Sequence, residues 1–247
     1  ESLRNSLLDT ATLVIISFVL MVEISLLIMI YINKHVIPVR GDLLSRFDEM
    51  DRSMVRPLGF LVFAAVNVST SFIPVLMKER YEPMFGLSET VVLGLPISAE
   101  MLCLALISVF AGDFIDKRGW KPSFLIGTGI IAAGLALSAW SDSIWLFIAA
   151  RALVGAGYGF ALMAMQSYTV KAPTEASKNH ALTELNSGAY AGINFGVVVG
   201  GIMADRIGFA EVFVVALVII FVALFFAWKW MPSVSNAYSA VHMDELL

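Results

Sequence analysis

The sequence predicts an all-α integral membrane protein, and its composition and the pattern of its apolar runs both indicate this class. Hydrophobic residues make up 59% of the 247 residues and charged residues 15%, whereas soluble domains have about half of their residues apolar and about a quarter charged. The apolar residues form unbroken runs, so membrane helices are favoured over the alternating strands of a β-barrel. The net charge of −4 gives no reason to expect a nucleic acid partner.

Seven apolar runs are long enough to cross a hydrocarbon core about 30 Å thick. The first, at 10–32, is too long for the core of a signal peptide, so residues 1–32 are predicted to form an N-terminal transmembrane anchor. Glu23 near its middle indicates that this helix packs against protein rather than standing alone in lipid. The other spans are predicted at 57–77, 91–111, 122–140, 143–169, 184–204 and 210–231.

Polar segments lie before and after the six later spans. Residues 33–56 are predicted to be a charged cytoplasmic linker, either a plain tether or a short amphipathic helix on the membrane surface. Residues 232–247 are predicted to be a polar cytoplasmic tail. Because the chain begins at Glu1 rather than Met, we expect that it was processed or excised from a longer polypeptide, and a truncated C-terminal end is an equal alternative.

The basic residues predict the orientation of the spans, since cytoplasmic connections carry an excess of Lys and Arg. Every second connection shows this excess, which makes these connections cytoplasmic and places the N-terminus on the extracytoplasmic side. The loop at 78–89 is the exception, because Lys78 and Arg80 would lie outside together with three glutamates. The basic connections contain five Lys and Arg residues in 34–56, then Lys117, Arg118 and Lys121, then Lys171 and Lys178.

One pattern of turn residues occurs twice in the chain. Each copy closes one apolar run and opens the next, and its charges are costly in hydrocarbon, so each copy is expected at a membrane surface. The unchanged spacing predicts a structural duplication. The first copy is Gly112, Asp116, Lys117 and Gly119, and the second is Gly201, Asp205, Arg206 and Gly208.

The span at 184–204 has two contrasting faces. Glycines recur every four residues on one face, which predicts close packing against another helix. Polar residues follow the same period about 200° away, which predicts a water-accessible cavity or, alternatively, hydrogen bonds between helices. The glycines are Gly188, Gly192, Gly196 and Gly200, and the polar residues are Asn186, Tyr190 and Asn194.

Charged and polar side chains inside other spans are candidates for a solute or proton pathway. Arg151 lies within the span at 143–169 and needs a partner at membrane depth, unless it extends to the interface. Glu100 could pair with it, or could carry a proton or contact a substrate. Gln166 lies near the same face as Arg151. Asn67 in the span at 57–77 is a further candidate, although such amides often bond neighbouring backbone instead.

The sequence gives no indication of a metal, a cofactor or an enzyme active site. Its histidines, His35, His180 and His242, are scattered, and no pair of His or Cys residues has the spacing of metal ligands. The single Cys103 is interpreted as a small buried side chain. The motifs of serine hydrolases, zinc proteases and phosphate-binding loops are absent.

The run from Gly112 to Lys121 resembles the signature loop between the second and third helices of the major facilitator superfamily. By this resemblance Asp116 would lie at a cytoplasmic gate with Arg118 and Lys121 as its cationic partners, and Gly119 would permit the tight turn. Phe114 and Trp120 depart from the family pattern.

Two further motifs are similar to those of the same family. Arg151 with the glycines that follow it is similar to a fourth-helix motif associated with proton coupling. Residues 196–201 are similar to a fifth-helix antiporter motif, but Val197 replaces its proline, so antiport is not inferred.

The resemblance covers residues 57–231 and implies a six-helix half-transporter bundle of two inverted three-helix repeats, preceded here by one extra transmembrane helix. A complete transporter of the family has two such halves, so a second six-helix half or a partner subunit is expected. The first hypothesis is transport of a small solute by alternating access, with protons as a candidate coupling ion. The pathway would be lined by Asn67, Glu100, Arg151, Gln166, Tyr190 and Asn194.

A different class of function is the alternative. The chain would then be a sensory or scaffolding module with a transporter-like fold, and its leading helix would couple it to an extracytoplasmic domain upstream of Glu1. An ion channel is a third reading, but the sequence lacks a filter loop and a ring of pore-lining charges.

Overall fold

The computed structural model of the chain describes residues 54–83, 86–171 and 175–231, and the secondary structure in these ranges is helical. The anchor predicted at 10–32, the linker up to residue 53 and the tail at 232–247 lie outside the described residues. The helices are α1 (Val55–Asn67), α2 (Ile73–Glu79), α3 (Glu89–Arg118), α4 (Trp120–Ala139), α5 (Ile144–Val170), α6 (Glu175–Ile207) and α7 (Phe209–Trp230).

Five of these helices, α3 to α7, are long and apolar enough to cross a membrane. Each contains one of the predicted spans almost completely and most extend beyond it, because the helical hydrogen bonds continue past the apolar segment into polar residues. Pro96 lies inside α3 without ending it, as a proline in a membrane helix can.

The span predicted as one helix at 57–77 is interrupted in the structure. A turn at residues 68–72 separates α1 from α2. The sequence explains the break, because the hydroxyls of Ser69, Thr70 and Ser71 can compete for backbone hydrogen bonds. Pro74 in the first turn of α2 also has no N–H to continue the ladder. Ser69 Oγ accordingly donates to the carbonyl oxygen of Val66 at 3.5 Å.

Single glycines form the junctions between α3 and α4 and between α6 and α7. Gly119 has φ 85° and ψ 165°, and Gly208 has φ 99° and ψ 163°. An L side chain is disfavoured at such positive φ values. The two copies of the turn pattern therefore share one backbone conformation.

Glycines also set the packing of α6 on α1. A Cβ on any of Gly188, Gly192, Gly196 or Gly200 would collide with the backbone of α1, successively at Arg56, Phe60, Ala64 and Val68. Because the residue numbers of the contacting positions increase together on the two helices, α1 and α6 run parallel. Helix α3 packs in parallel on α5 in the same way, and α4 packs against α5 in the antiparallel direction and also against α7.

The bundle has two distinct ends. At one end the rings of Trp120 and Tyr168 lie 4.6 Å apart, and Lys121 reaches the last turn of α7. At the other end Phe72 stacks on Phe209 at 5.2 Å, and Phe147 packs against Phe213. Because α5 runs from the second set of contacts to the first, Asp116 and Asp205 lie at opposite ends of the bundle.

Charge divides the two ends. The end that contains Asp116 is called the basic end here, and its basic side chains are Arg56, Lys117, Arg118, Lys121, Lys171, Lys178 and Lys229, against Asp113, Asp116 and Glu184. The end that contains Asp205 is called the acidic end, and its acidic side chains are Glu79, Glu82, Glu89, Asp142, Asp205 and Glu211, against Lys78, Arg80 and Arg206.

Candidate functional site

A buried ion pair joins α3 to α5 in the interior of the bundle. Arg151 is completely buried, and Glu100 is 3% exposed. Arg151 Nε donates to Glu100 Oε2 at 3.1 Å, and one terminal nitrogen of Arg151 donates to the same oxygen at 2.5 Å. The other terminal nitrogen, Nη1, has no hydrogen-bond partner among the described residues. The pair is therefore tightly joined but leaves one donor unsatisfied.

Small residues on α5 make this pair geometrically possible. Gly155, one turn after Arg151, lies directly against the backbone carbonyl of Glu100, and a Cβ at Gly159 would be 2.9 Å from the carbonyl oxygen of Leu104. The two helix backbones therefore touch, and the short glutamate side chain spans the gap to Arg151.

Tyr158 extends the site from α5 to α1. Its ring meets Phe63 edge to face with the centroids 5.3 Å apart, and the side chain is 7% exposed. Asn67, one turn beyond Phe63, is partly buried and donates from Nδ2 to the Phe63 carbonyl oxygen at 2.8 Å. Tyr158 was not among the predicted pathway residues. Its position seven residues after Arg151, on the same face of a helix, is the signal that indicates it.

The remaining predicted pathway residues, together with Asn186 from the polar face of α6, lie on the outside of the described bundle. Gln166 on α5 is exposed, and so are Asn186, Tyr190 and Asn194 on α6. Tyr190 is 69% exposed, and Asn194 Nδ2 donates to the Tyr190 carbonyl oxygen at 2.7 Å. Within the described ranges no hydrogen bond or ion pair joins them to Glu100 or Arg151. These exposed polar side chains, called the polar surface here, lie on the outside of the bundle and do not line its interior.

The basic residues of the signature loop make contacts that differ from those implied by the family resemblance. Lys121 Nζ donates to the carbonyl oxygens of Trp228 at 2.9 Å and Met231 at 2.6 Å, at the C-terminal end of α7. The guanidinium of Arg118 lies 5.4 Å from the ring centroid of Phe114. Asp116 is exposed, and no ion pair with it is found in the described part of the chain. In this conformation Lys121 binds the C-terminal end of α7 and does not pair with Asp116.

The two residues that depart from the family pattern fill the junction. Trp120 is completely buried against the rings of Tyr168 and Phe124. Phe114 packs edge to face on Phe160 at 5.6 Å. Aromatic packing therefore joins α3, α4 and α5 at this junction.

A second basic contact, at the acidic end, was also not anticipated. Arg80, just after α2, donates from Nη1 to the carbonyl oxygen of Ser141 at 2.5 Å, in the turn after α4. Such contacts between residues distant in sequence leave no local pattern to find. Among the described residues no group of three or more His, Cys, Asp or Glu side chains could hold a metal ion.

Comparison with known proteins gives a consistent set of similarities. The family model described as Major Facilitator Superfamily matches residues 57–240. The chain is 30% identical to the multidrug resistance protein MdtG of Yersinia enterocolitica over 68% of this chain and 40% of that protein. It is 29% identical to MdtG of Citrobacter koseri over 76% of this chain and 47% of that protein. The chain thus spans less than half the length of these relatives.

Two solved structures have the same fold as this bundle. The D-xylose-proton symporter matches with a TM-score of 0.64 at 15% identity, over 79% of this chain and 52% of that one. The human organic anion transporter MFSD10 matches with a TM-score of 0.64 at 20% identity, over 74% of this chain and 48% of that one.

Proposed function

This chain belongs to the Major Facilitator Superfamily, and from that membership we propose that it is the N-terminal half of a secondary transporter that moves a small solute by alternating access. The match covers the described helices, and the chain accounts for about half or less of each complete relative. A second six-helix half or a partner subunit would supply the rest of the pathway. The assembly would be an integral, multi-pass membrane protein of the bacterial cytoplasmic membrane.

Two inverted three-helix repeats are proposed for the described bundle, with α1, α2, α3 and α4 in the first and α5, α6 and α7 in the second. The matching backbone conformations of Gly119 and Gly208 support this division. The helix contacts support it too. In this division α1 corresponds to α5 and α3 corresponds to α6, so the parallel α1–α6 pair has its counterpart in the parallel α5–α3 pair. An inverted repeat also requires equivalent turns at opposite ends, where Asp116 and Asp205 lie.

The Glu100–Arg151 pair is the observation that carries the proposed mechanism. Removing the partner of a buried ion leaves an uncompensated charge, which costs about 3–5 kcal/mol. Protonation of Glu100, or a solute group that competes for either partner, would therefore disfavour the conformation in which α3 and α5 are clamped together. Occupancy of the site would thus be coupled to helix movement. Proton coupling has the precedent of the D-xylose-proton symporter.

The polar surface of Gln166, Asn186, Tyr190 and Asn194 is assigned to the solute pathway. Polar side chains are unfavourable against acyl chains, so these residues would face water between this half and the second one. Solute would enter along this surface, and the buried pair would respond to it.

The basic end is assigned to the cytoplasm, because membrane proteins concentrate Lys and Arg there. The Asp116 loop would then lie on the cytoplasmic side and the Asp205 loop outside. If the anchor predicted at 10–32 is a further span, the first residues of the chain would lie outside the cytoplasm.

Replacement of Arg151 in the full-length protein tests the proposal. The probes are growth protection against a panel of lipophilic drugs, after the relatives named multidrug resistance proteins, and uptake of radiolabelled sugars, after the D-xylose-proton symporter. For any solute that the unmodified protein moves, Arg151→Ala should abolish movement at normal expression. The exposed Lys78→Ala is the matched control and should transport normally. Undiminished transport by Arg151→Ala would remove the pair from the mechanism.

A further inference from the structure

Four of the five tryptophans in the chain are exposed, and they occur as two pairs at opposite ends of the bundle. Trp140 and Trp145, at the acidic end, are 70% and 52% exposed. Trp228 and Trp230, at the basic end, are 61% and 46% exposed. The fifth, Trp120, is completely buried. The exposed apolar residues between the two ends are mostly aliphatic, with the aromatic exceptions Phe110, Tyr190, Phe221 and Phe225, and none of them is a tryptophan.

The distance between the pairs can be read along α4. Lys121, in the first turn of α4, is hydrogen-bonded to the carbonyls of Trp228 and Met231, so the start of α4 is level with the end of α7. The 19 residues from Lys121 to Trp140 rise about 29 Å at 1.5 Å per residue. That rise matches the roughly 30 Å thickness of a bilayer's hydrocarbon core.

The chemistry of both pairs fits the boundary between acyl chains and headgroups. An indole ring is apolar over most of its surface and carries one N–H donor, so tryptophan is favoured where one side of the ring is dry and the other is wet. At the basic end Lys229 Nζ lies 5.1 Å from the Trp230 ring centroid and 5.6 Å from that of Phe225. This cation therefore lies at the same level as the rings.

We propose that Trp140 with Trp145 and Trp228 with Trp230 bind the headgroup boundaries of opposite leaflets and thereby fix the depth of this bundle in the bilayer. The phospholipid bilayer is the occupant of these surfaces rather than a second protein chain. The basic side chains around Trp228 and Trp230 favour anionic headgroups on that side. The inference requires only that the helices cross the membrane and does not depend on transport.

Depth-dependent quenching of tryptophan fluorescence tests this proposal. Variants of the full-length protein retain one tryptophan each, with phenylalanine at the other tryptophan positions, in vesicles of phosphatidylcholine and phosphatidylglycerol. Phosphatidylcholine brominated near the headgroup, or near the acyl terminus, is the quencher. Each of the four exposed tryptophans should be quenched more strongly by the shallow bromines. Trp120 is the matched control, because its buried ring should be quenched weakly by both lipids.

Other results would overturn the proposal. Stronger quenching by the deep bromines would place a pair in the hydrocarbon interior. Quenching by aqueous iodide without quenching by either lipid would place it in water. Absence of quenching by all three reagents would show that protein, such as a second half, covers the ring.

Discussion

At the scale of single residues, the buried pair of Glu100 and Arg151 creates an asymmetry between losing one charge and losing both. The two ions satisfy each other in a site from which water is excluded, but two apolar side chains of similar size would also fit it. Replacing a whole buried pair is often neutral, whereas replacing one member is costly. The pair therefore makes this conformation sensitive to the loss of one charge alone, but not to the loss of both together.

The first prediction concerns that asymmetry. Glu100→Leu and Arg151→Met should each destabilise the protein by about 3–5 kcal/mol, while the double variant should lose clearly less than either single variant. The measurement is the free energy of unfolding in detergent from denaturant titration of all three variants. Additive losses would mean that the two side chains are not coupled.

The sequence predicted part of this residue-level picture. Arg151 in an apolar run must have a partner, and Glu100 was the named candidate, because few charges lie within the spans. The tight contact between Gly155 and the Glu100 carbonyl could not be anticipated. It depends on the rotation of α3 and α5 about their axes, which apolar patterning specifies poorly when lipid faces are as hydrophobic as packed ones.

The second prediction tests that backbone contact. Gly155→Ala places a Cβ against the Glu100 carbonyl, so it should force the helices apart and destabilise the protein by at least about 1–3 kcal/mol. Gly129→Ala is the control, because its Cβ would meet no atom within 4 Å. The midpoint temperature of thermal unfolding should therefore fall for Gly155→Ala and should stay level or rise slightly for Gly129→Ala. Equal behaviour of the two would contradict the close approach.

At the scale of elements, the last turn of α7 is held from outside itself. The final carbonyls of a helix have no partner within that helix and carry partial negative charge. Lys121 from the start of α4 donates to two of them. A lysine that the family resemblance assigned to a gate therefore acts on a helix end distant in sequence.

The third prediction follows from this cap. Lys121→Met removes two hydrogen bonds from a charged donor, which are worth roughly 1.5–3 kcal/mol each, so the last turn of α7 should open more often. Hydrogen–deuterium exchange should become faster in residues 227–231 and remain unchanged in the first turns of α7. The exposed Lys117→Met serves as the matched control and should leave the exchange of α7 unaltered. If the two variants show equal exchange rates in residues 227–231, the hydrogen bonds from Lys121 do not stabilise the end of α7.

The fourth prediction concerns the two glycine junctions. Gly119→Ala and Gly208→Ala both place a Cβ at positive φ, which costs about 1–2 kcal/mol. The Cβ at 208 would also meet Glu211 Oε2, but this exposed side chain can rotate away, so the two losses should be similar. Gly112→Ala, in open space within α3, is the control. The denaturant midpoint should be highest for Gly112→Ala and lower by a similar amount for Gly119→Ala and Gly208→Ala. A midpoint for Gly119→Ala equal to that of Gly112→Ala would rule out strain at the junction.

Prediction of the elements from sequence worked where hydrophobic length alone decides. The runs that α3 to α7 contain were visible because a span needs about 20 apolar residues. The break between α1 and α2 was not, because the apolar character of 57–77 continues across residues 68–72. The backbone follows hydrogen-bond competition and Pro74 there, and neither changes the hydropathy of the run.

At the scale of the whole molecule, the two ends of the bundle contain equivalent glycine junctions but differ in charge. Equivalent junctions, built on Gly119 and Gly208, lie at opposite ends, yet one end is rich in Lys and Arg and the other in Asp and Glu. A duplicated unit would begin with similar charges at both junctions. In the proposed inverted repeat, the excess of Lys and Arg at one end would therefore supply the orientation that the repeat by itself leaves ambiguous.

The fifth prediction tests this orientation with cysteines on the two exposed aspartates. Cys103 is first replaced by Ser in the full-length protein, and Asp116→Cys or Asp205→Cys is then added. A membrane-impermeant maleimide applied to intact cells should label the second variant and not the first, because only the acidic end would face outward. After permeabilisation both should react.

Lys78→Cys and Lys171→Cys are the controls for the acidic and basic ends, and each should be labelled like the aspartate variant at its own end. Labelling of both aspartate variants from outside would be incompatible with opposite placement of the two junctions, whereas labelling of Asp116→Cys alone would keep the inverted repeat and reverse its orientation.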